Sequence, residues 1–217
     1  MNLNEIFFKA QIDGLTYDMV YTERPLSKII DFDWKYILKA PLKNSDKQTL
    51  EELKLISTEC KKRSQKDIDL IYSIDTDLDT PFINLLNSYK LTYPWEYINL
   101  FYDIVHPLLL NTKAFWNRPR PSQLADLYNI DINVIVTDTI YTASYPSGHT
   151  VYSKLVANIL HFIYPQIRIN QLDNIVTTTA KARIMQGVHY PSDNKASLIF
   201  SDTIFNKLNP KLERYIS

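Results

Sequence analysis

"YPSGHTVYSKLVANILHFIYP", residues 145–165, sets a serine, a glycine and a histidine immediately before an apolar, helix-like run that Pro165 closes. Ser147 is suited to cap a helix over about 147–163, whose first backbone N–H groups have no intrahelical partners. Those donors and the helix dipole favour an anion. Gly148 is one of only three glycines in 217 residues, and without a Cβ it lets an anion approach the backbone. His149, on the first turn, can hydrogen-bond to that anion or exchange a proton with it. A serine cap beside a histidine is also an ordinary structural feature, so its meaning depends on the rest of the chain.

Outward from this stretch the pattern stays helical. Two further helices are expected downstream, over about 170–186 and 192–208, with Gly187 and Pro191 as punctuation. Upstream, "SDKQTLEELKLISTECKKRS" from Ser45 has a polar start, apolar residues at helical spacing (Leu50, Leu53, Ile56) and a basic end. Thr80-Pro81 and Tyr93-Pro94 place proline where a first helical turn accepts it, and His106-Pro107 should break or kink the second of those helices. The β-branched run "INVIVTDTI" (132–140) reads as an extended connection. There is no internal repeat, low-complexity tract or linker. The expected fold is therefore all-α, a single helical bundle over 1–217, with its motifs in about 94–208 and none assignable in residues 1–90.

Composition narrows the function classes. Lys plus Arg and Asp plus Glu both number 24, so no global basic field is available to hold nucleic acid. Cys60 is the only cysteine, which removes intrachain disulfides and thiolate metal clusters. No basic-then-apolar leader is visible, and polar residues interrupt every apolar run before about 18 residues. The expectation is a soluble, cytoplasmic or otherwise non-membrane protein without a signal peptide or membrane span, its oligomeric state left open.

Two more segments carry charge suited to a phosphate. In "KAFWNRPRP" (113–121), Lys113 and Arg120 are separated by six residues, Arg118 among them, and two prolines restrict the backbone around Arg120. A guanidinium fork suits a tetrahedral oxyanion and a lysine adds a point charge. In "KARIMQGVHYPSDN" (181–194), Arg183 precedes His189 and Asp193, and Gly187 ends the helix that carries the arginine. An acceptor such as Asp193 on one ring nitrogen fixes the imidazole tautomer and makes the other nitrogen a better nucleophile or base. Cations, anion-cradling backbone and two histidines are what covalent phosphoryl transfer without metal requires.

In chain order, Lys113-x6-Arg120-Pro121, Pro146-Ser147-Gly148-His149 and Arg183-x5-His189-x3-Asp193 resemble the three-part signature shared by type 2 phosphatidic acid phosphatases, bacterial class A acid phosphatases and vanadium haloperoxidases. The resemblance implies a helical bundle with its site at helix ends and phosphate held by Lys113, Arg120, Arg183, the Ser147 hydroxyl and the Gly148 N–H. It implies that His189 attacks phosphorus, that His149 serves the leaving group and then water, and that Asp193 orients His189. The activity implied is metal-independent hydrolysis of phosphate monoesters through a phosphohistidine, closest in character to the soluble class A acid phosphatases. The substrate expected is a small organic phosphate, with a lipid phosphate presented at a surface as the second candidate. No cofactor or metal is expected. The alternatives are a haloperoxidase holding vanadate as cofactor, and a non-catalytic phosphate-binding helical module. One departure is Ala182, where this family commonly has serine before the last arginine. His106 and His161 are expected to be structural. Phe115, Trp116, Tyr145 and Tyr190 are candidates for the leaving-group wall, with core packing the stronger reading for Phe115 and Trp116.

Overall fold

Helices at the C-terminal half of the chain hold one another through a shared apolar stripe and a seam of small hydroxyl residues. In the computed structural model, which describes residues 2–12, 15–18 and 24–212, a short hairpin, β1 (Lys9–Ile12) and β2 (Leu15–Asp18), precedes eight α-helices. These are α1 (Lys47–Lys62), α2 (Gln65–Thr76), α3 (Thr80–Ser88), α4 (Trp95–Trp116), α5 (Pro121–Ala125), α6 (Gly148–Ile163), α7 (Ile169–Met185) and α8 (Pro191–Leu212). The fold is all-α in class, with the antiparallel hairpin as its only sheet among the described residues. None of the described helices is long and apolar enough to cross a membrane.

The main core forms where α4, α6, α7 and α8 meet. Phe200, Ile204, Leu208 and Leu212 recur every four residues along α8, one helical face, and pack with Leu155, Ile159 and Leu160 of α6 and Phe101 and Leu108 of α4. Each such side chain contributes roughly 1.5–3 kcal/mol by leaving water. Register between α6 and α8 comes from polar contacts. Ser197 Oγ donates to the Ser147 carbonyl (3.0 Å) and Ser201 Oγ to that of Val151 (2.7 Å). Asn194 joins three helices, accepting from Thr150 Oγ1 and donating to the Ala180 carbonyl. The consequence is that the start of α6, the start of α8 and the end of α7 converge.

Two expectations about proline need correction, and one helix was not expected. Pro107 does not end α4, which runs through it for 22 residues; Ile104, Val105, Leu108 and Leu109 are buried on either side, so packing outweighs the lost backbone bond. Pro94 is the residue before α4 and not in its first turn, whereas Pro81 does lie in the first turn of α3. A helix is also present that the sequence reading did not assign: α2 begins with a reciprocal cap between Ser64 and Asp67 and packs Ile71 and Ile74 against Ala182 and Met185 of α7. Of the run 132–140 read as an extended connection, residues 132–137 form no helix or strand and cross the end of α7 through a pair of bonds between Ile135 and Gln186, whereas Asp138–Ile140 form a 3-10 turn.

Candidate active site

Three cations reach one cavity of about 670 Å³ from three different elements. Lys113 stands in the last turn of α4, 4% exposed, and its Nζ donates to the Ala143 carbonyl (2.6 Å). Arg120 has the extended backbone that a residue before proline adopts. Its Nε donates to the Thr142 carbonyl (2.9 Å), while one terminal nitrogen reaches both the Val188 carbonyl (2.9 Å) and His189 Nε2 (2.8 Å). Arg183, in the last turn of α7, donates to Asp75 Oδ1 (2.8 Å) and Thr139 Oγ1 (3.1 Å), and its buried Nε has no hydrogen-bond partner among the described residues. Burial pushes Lys113 well below its usual range and Arg120 down to about 9, and each cation's neighbours add repulsion. Such a cluster is short of negative charge.

The histidines differ in what holds them. An arginine only donates, so Arg120 makes His189 Nε2 an acceptor and places the ring proton on Nδ1. Nδ1 then donates to Asp193 Oδ2 (3.3 Å). Asp193 is fully buried and also takes Ser144 Oγ (2.5 Å), the Tyr190 N–H (3.0 Å) and Arg118 (2.5 Å). Arg118 therefore belongs to this support and not to the cavity; it lies over the Tyr190 ring and 3.8 Å from Glu52. Burial, then the charges of Arg120 and Lys113, hold His189 well below the usual imidazole range, so it is neutral, and its Nε2 lone pair accepts from Arg120. His149, on the first turn of α6, is pushed down to about 3 by burial and by Arg183, against a smaller upward pull from Asp75, whose Oδ1 lies 3.7 Å from Nε2.

Lys113, Arg120, Gly148, His149, Arg183 and His189 all line the cavity, and Asp193 lies behind His189. Ser147 does not line it. It occupies the cap position without a side-chain cap bond, because its hydroxyl pairs with Thr150 Oγ1 (3.1 Å) inside the bundle. A Cβ on Gly148 would stand beside Leu109 (3.5 Å) and Lys113 (3.9 Å), on the cavity side. Gly187 is left-handed (φ +86°), and a Cβ there would meet Ile132 at 2.9 Å, so the turn that delivers His189 requires glycine.

The wall also departs from expectation. Phe115 packs on Trp34 and Trp116, Tyr145 bonds to the Lys39 carbonyl, and Tyr190 is buried under Arg118; none of them lines the cavity. Tyr102, Tyr152 and His106 do, and His106 Nδ1 lies 2.8 Å from Tyr152 Oη, so this histidine is part of the cavity wall. Ala182 is fully buried among Ile71, Ile74 and Met185, in an apolar contact that leaves a hydroxyl no evident use. The largest omission of the sequence reading is Asp75, at the end of α2. Besides Arg183 it accepts from Thr139 (2.6 Å) and Thr137 (3.0 Å); burial would raise its carboxyl, but the Thr139 bond and Arg183 outweigh that and hold it below the usual carboxylate range.

A family model described as "PAP2 superfamily" matches residues 97–206, which include every one of the three motifs. The chain belongs to the PAP2 superfamily. Superfamily members are phosphatases and haloperoxidases, enzymes of phosphoryl-type transfer. The matched span stops short of α1 and α2, so Asp75 comes from outside it. No curated protein sequence matches the chain significantly.

Proposed function

We propose that this PAP2 superfamily protein hydrolyses phosphate monoesters through a phosphohistidine on His189, without a metal. The observation that carries this reading is a neutral His189 whose Nε2 accepts from Arg120, in the wall of a cavity that three buried cations share with a second histidine. A phosphate entering it would take the donors of Lys113, Arg120, Arg183 and the Gly148 N–H. Arg120 would exchange its bond to His189 for one to a phosphate oxygen, which frees Nε2 for attack. The P–O bond to the alcohol breaks as the N–P bond forms, and the departing oxygen receives a proton from His149. That proton must arrive with the substrate or on its binding, because His149 is neutral in the empty pocket at neutral pH. His149 then takes a proton from the water that attacks phosphorus, the N–P bond breaks, and phosphate leaves. General acid–base help of this kind contributes about 10²- to 10⁴-fold.

The test is release of nitrophenol from nitrophenyl phosphate in excess chelator, repeated with vanadate, and then with vanadate, bromide and peroxide. Turnover that survives chelator and is competed by vanadate is expected. Loss on chelation with rescue by a divalent ion would overturn the metal-free mechanism, bromide oxidation would give the haloperoxidase, and no turnover at all would leave a binding module.

A further inference from the structure

The cavity changes character along one face of α4. Asp103, His106, Leu110 and Lys113 all line it, spaced so that they share that face, and the ten residues from Asp103 to Lys113 span about 15 Å of helix. The Lys113 end is the cationic phosphate position. The stretch between is largely apolar: Ile74, Leu78, Leu109 and Leu110 line it, and the rings of Tyr102 and Tyr152 meet edge to face 4.9 Å apart. The far end is acidic. Asp79 takes the hydroxyls of Tyr93 and Tyr102 on Oδ1 and no hydrogen bond on Oδ2 among the described residues. Asp103 is exposed and makes no ion pair among them. Pro107, also on the wall, has no N–H to give the Asp103 carbonyl, which adds a backbone acceptor to this end.

We propose that the released alcohol has an apolar, ring-sized body and an ammonium group at its far end, read by Asp79 and Asp103. This rests on the phosphatase reading for the phosphate end and adds the substrate class. The logic is complementarity: an apolar body fills the middle without stranding polar groups, and a cation meets carboxylates at the mouth. A second anionic group on the substrate would meet those carboxylates and be repelled, so polyphosphorylated compounds are selected against.

Three esters with closely similar phenolate leaving groups isolate this effect: the monophosphates of 4-(2-aminoethyl)phenol, 4-ethylphenol and 4-(2-carboxyethyl)phenol. The expected order of kcat/KM is ammonium, then neutral, then carboxylate, with roughly twofold to fivefold between successive members, as for partly exposed charge pairs. High salt should compress the order, and Asp103→Asn and Asp79→Asn should each narrow it. Asp103 is exposed, so its variant folds even if loss of the two tyrosine contacts disturbs Asp79→Asn. A carboxylate ester as fast as the ammonium ester, or an order unchanged in Asp103→Asn and in high salt, overturns the proposal. If the protein hydrolyses none of the three, dissociation constants measured by calorimetry take over. The same order in affinity keeps this inference while the phosphatase reading fails, and equal affinities end both.

Discussion

The two ends of the cavity are built on opposite physical terms. At the phosphate end, Lys113, Arg120, Arg183 and His189 are all at most 5% exposed, and each is tied to a carbonyl, a carboxylate or another member of the group. At the mouth, Asp103 and His106 are exposed and hydrogen bonds are few. Groups that must stabilise charge developing on phosphorus have to be fixed before the reaction, since reorganising them would cost what they contribute. Groups that only sort leaving alcohols tolerate solvent and motion. Changes at the first end should therefore cost turnover, and changes at the second should alter preference.

The sharpest way to break that contrast is to keep charge and remove geometry. Arg120→Lys and Arg183→Lys should each lower kcat/KM on nitrophenyl phosphate by about 10²-fold or more, by analogy with loss of one oxyanion donor. Arg168→Lys, at the exposed far end of α7, serves as the control. Near-normal rates in both cavity variants would mean that rigidity at this end is unrelated to catalysis. Asp75 tests the boundary between the ends, because it positions Arg183 without belonging to a motif. Asp75→Asn should lower kcat roughly tenfold through a displaced guanidinium. Inorganic phosphate should bind more tightly as a competing carboxylate disappears. With the upward pull of Asp75 gone, the acid limb that His149 contributes to the pH profile should move to lower pH. A lower kcat with no change in phosphate affinity or profile would reduce Asp75 to a packing role.

Gly148 and Gly187 sharpen the comparison at a smaller scale. Gly187→Ala should destabilise the fold by about 1–3 kcal/mol, read as a lower Tm, because its left-handed backbone and the Ile132 contact both resist a Cβ. Gly148→Ala should leave Tm nearly unchanged yet raise KM, since its Cβ would enter ordinary contact distance on the cavity side. Reversed outcomes would interchange the turn-forming and phosphate-facing roles.

Protonation gives a further check. His149 folds with its pKa depressed to about 3 from an ordinary value near 6.5, and His189 shifts the same way. The unfolded chain therefore binds more protons in this window, so stability present above about pH 6.5 is lost as pH falls toward the folded values. Tm should drop between pH 7 and pH 5, and by less with inorganic phosphate bound, because an anion restores the charged imidazolium. The same linkage predicts proton uptake when phosphate binds near pH 7, visible as a calorimetric enthalpy that depends on the buffer. A buffer-independent enthalpy would contradict the neutral empty pocket.

Legibility in the sequence followed the same division. The helices set off by Ser147, Pro165, Gly187 and Pro191, namely α6, α7 and α8, begin within one residue of their expected starts, and the motif positions that face the cavity are readable because chemistry fixes their spacing. Asp75 was not, since an acid at a helix end has no local feature that announces an arginine 108 positions away. The helix that carries it did have a signal, the Ser64 and Asp67 cap before Ile71 and Ile74. The hairpin had one too, in Asp13-Gly14 between short β-prone runs. Ser147 shows the opposite failure: its place at the helix start was correct, but tertiary packing turned its hydroxyl toward Thr150. His106 reads as structural in the sequence because it precedes a proline and has no cation cluster or glycine beside it, although α4 presents it on the face that leads to Lys113.

The central claim is that His189 bonds to phosphorus while His149 moves protons, and quenched-flow trapping of the phosphoenzyme tests it directly. In His149→Ala, nitrophenyl phosphate should give a burst of nitrophenol, because that leaving group needs no proton, followed by slow turnover as the water loses its base. A base-stable, acid-labile phosphoryl group should accumulate on His189. In His189→Ala no burst and no phosphoenzyme should form with any ester. A burst in His189→Ala with phosphate trapped on His149 would reverse the roles and contradict the account.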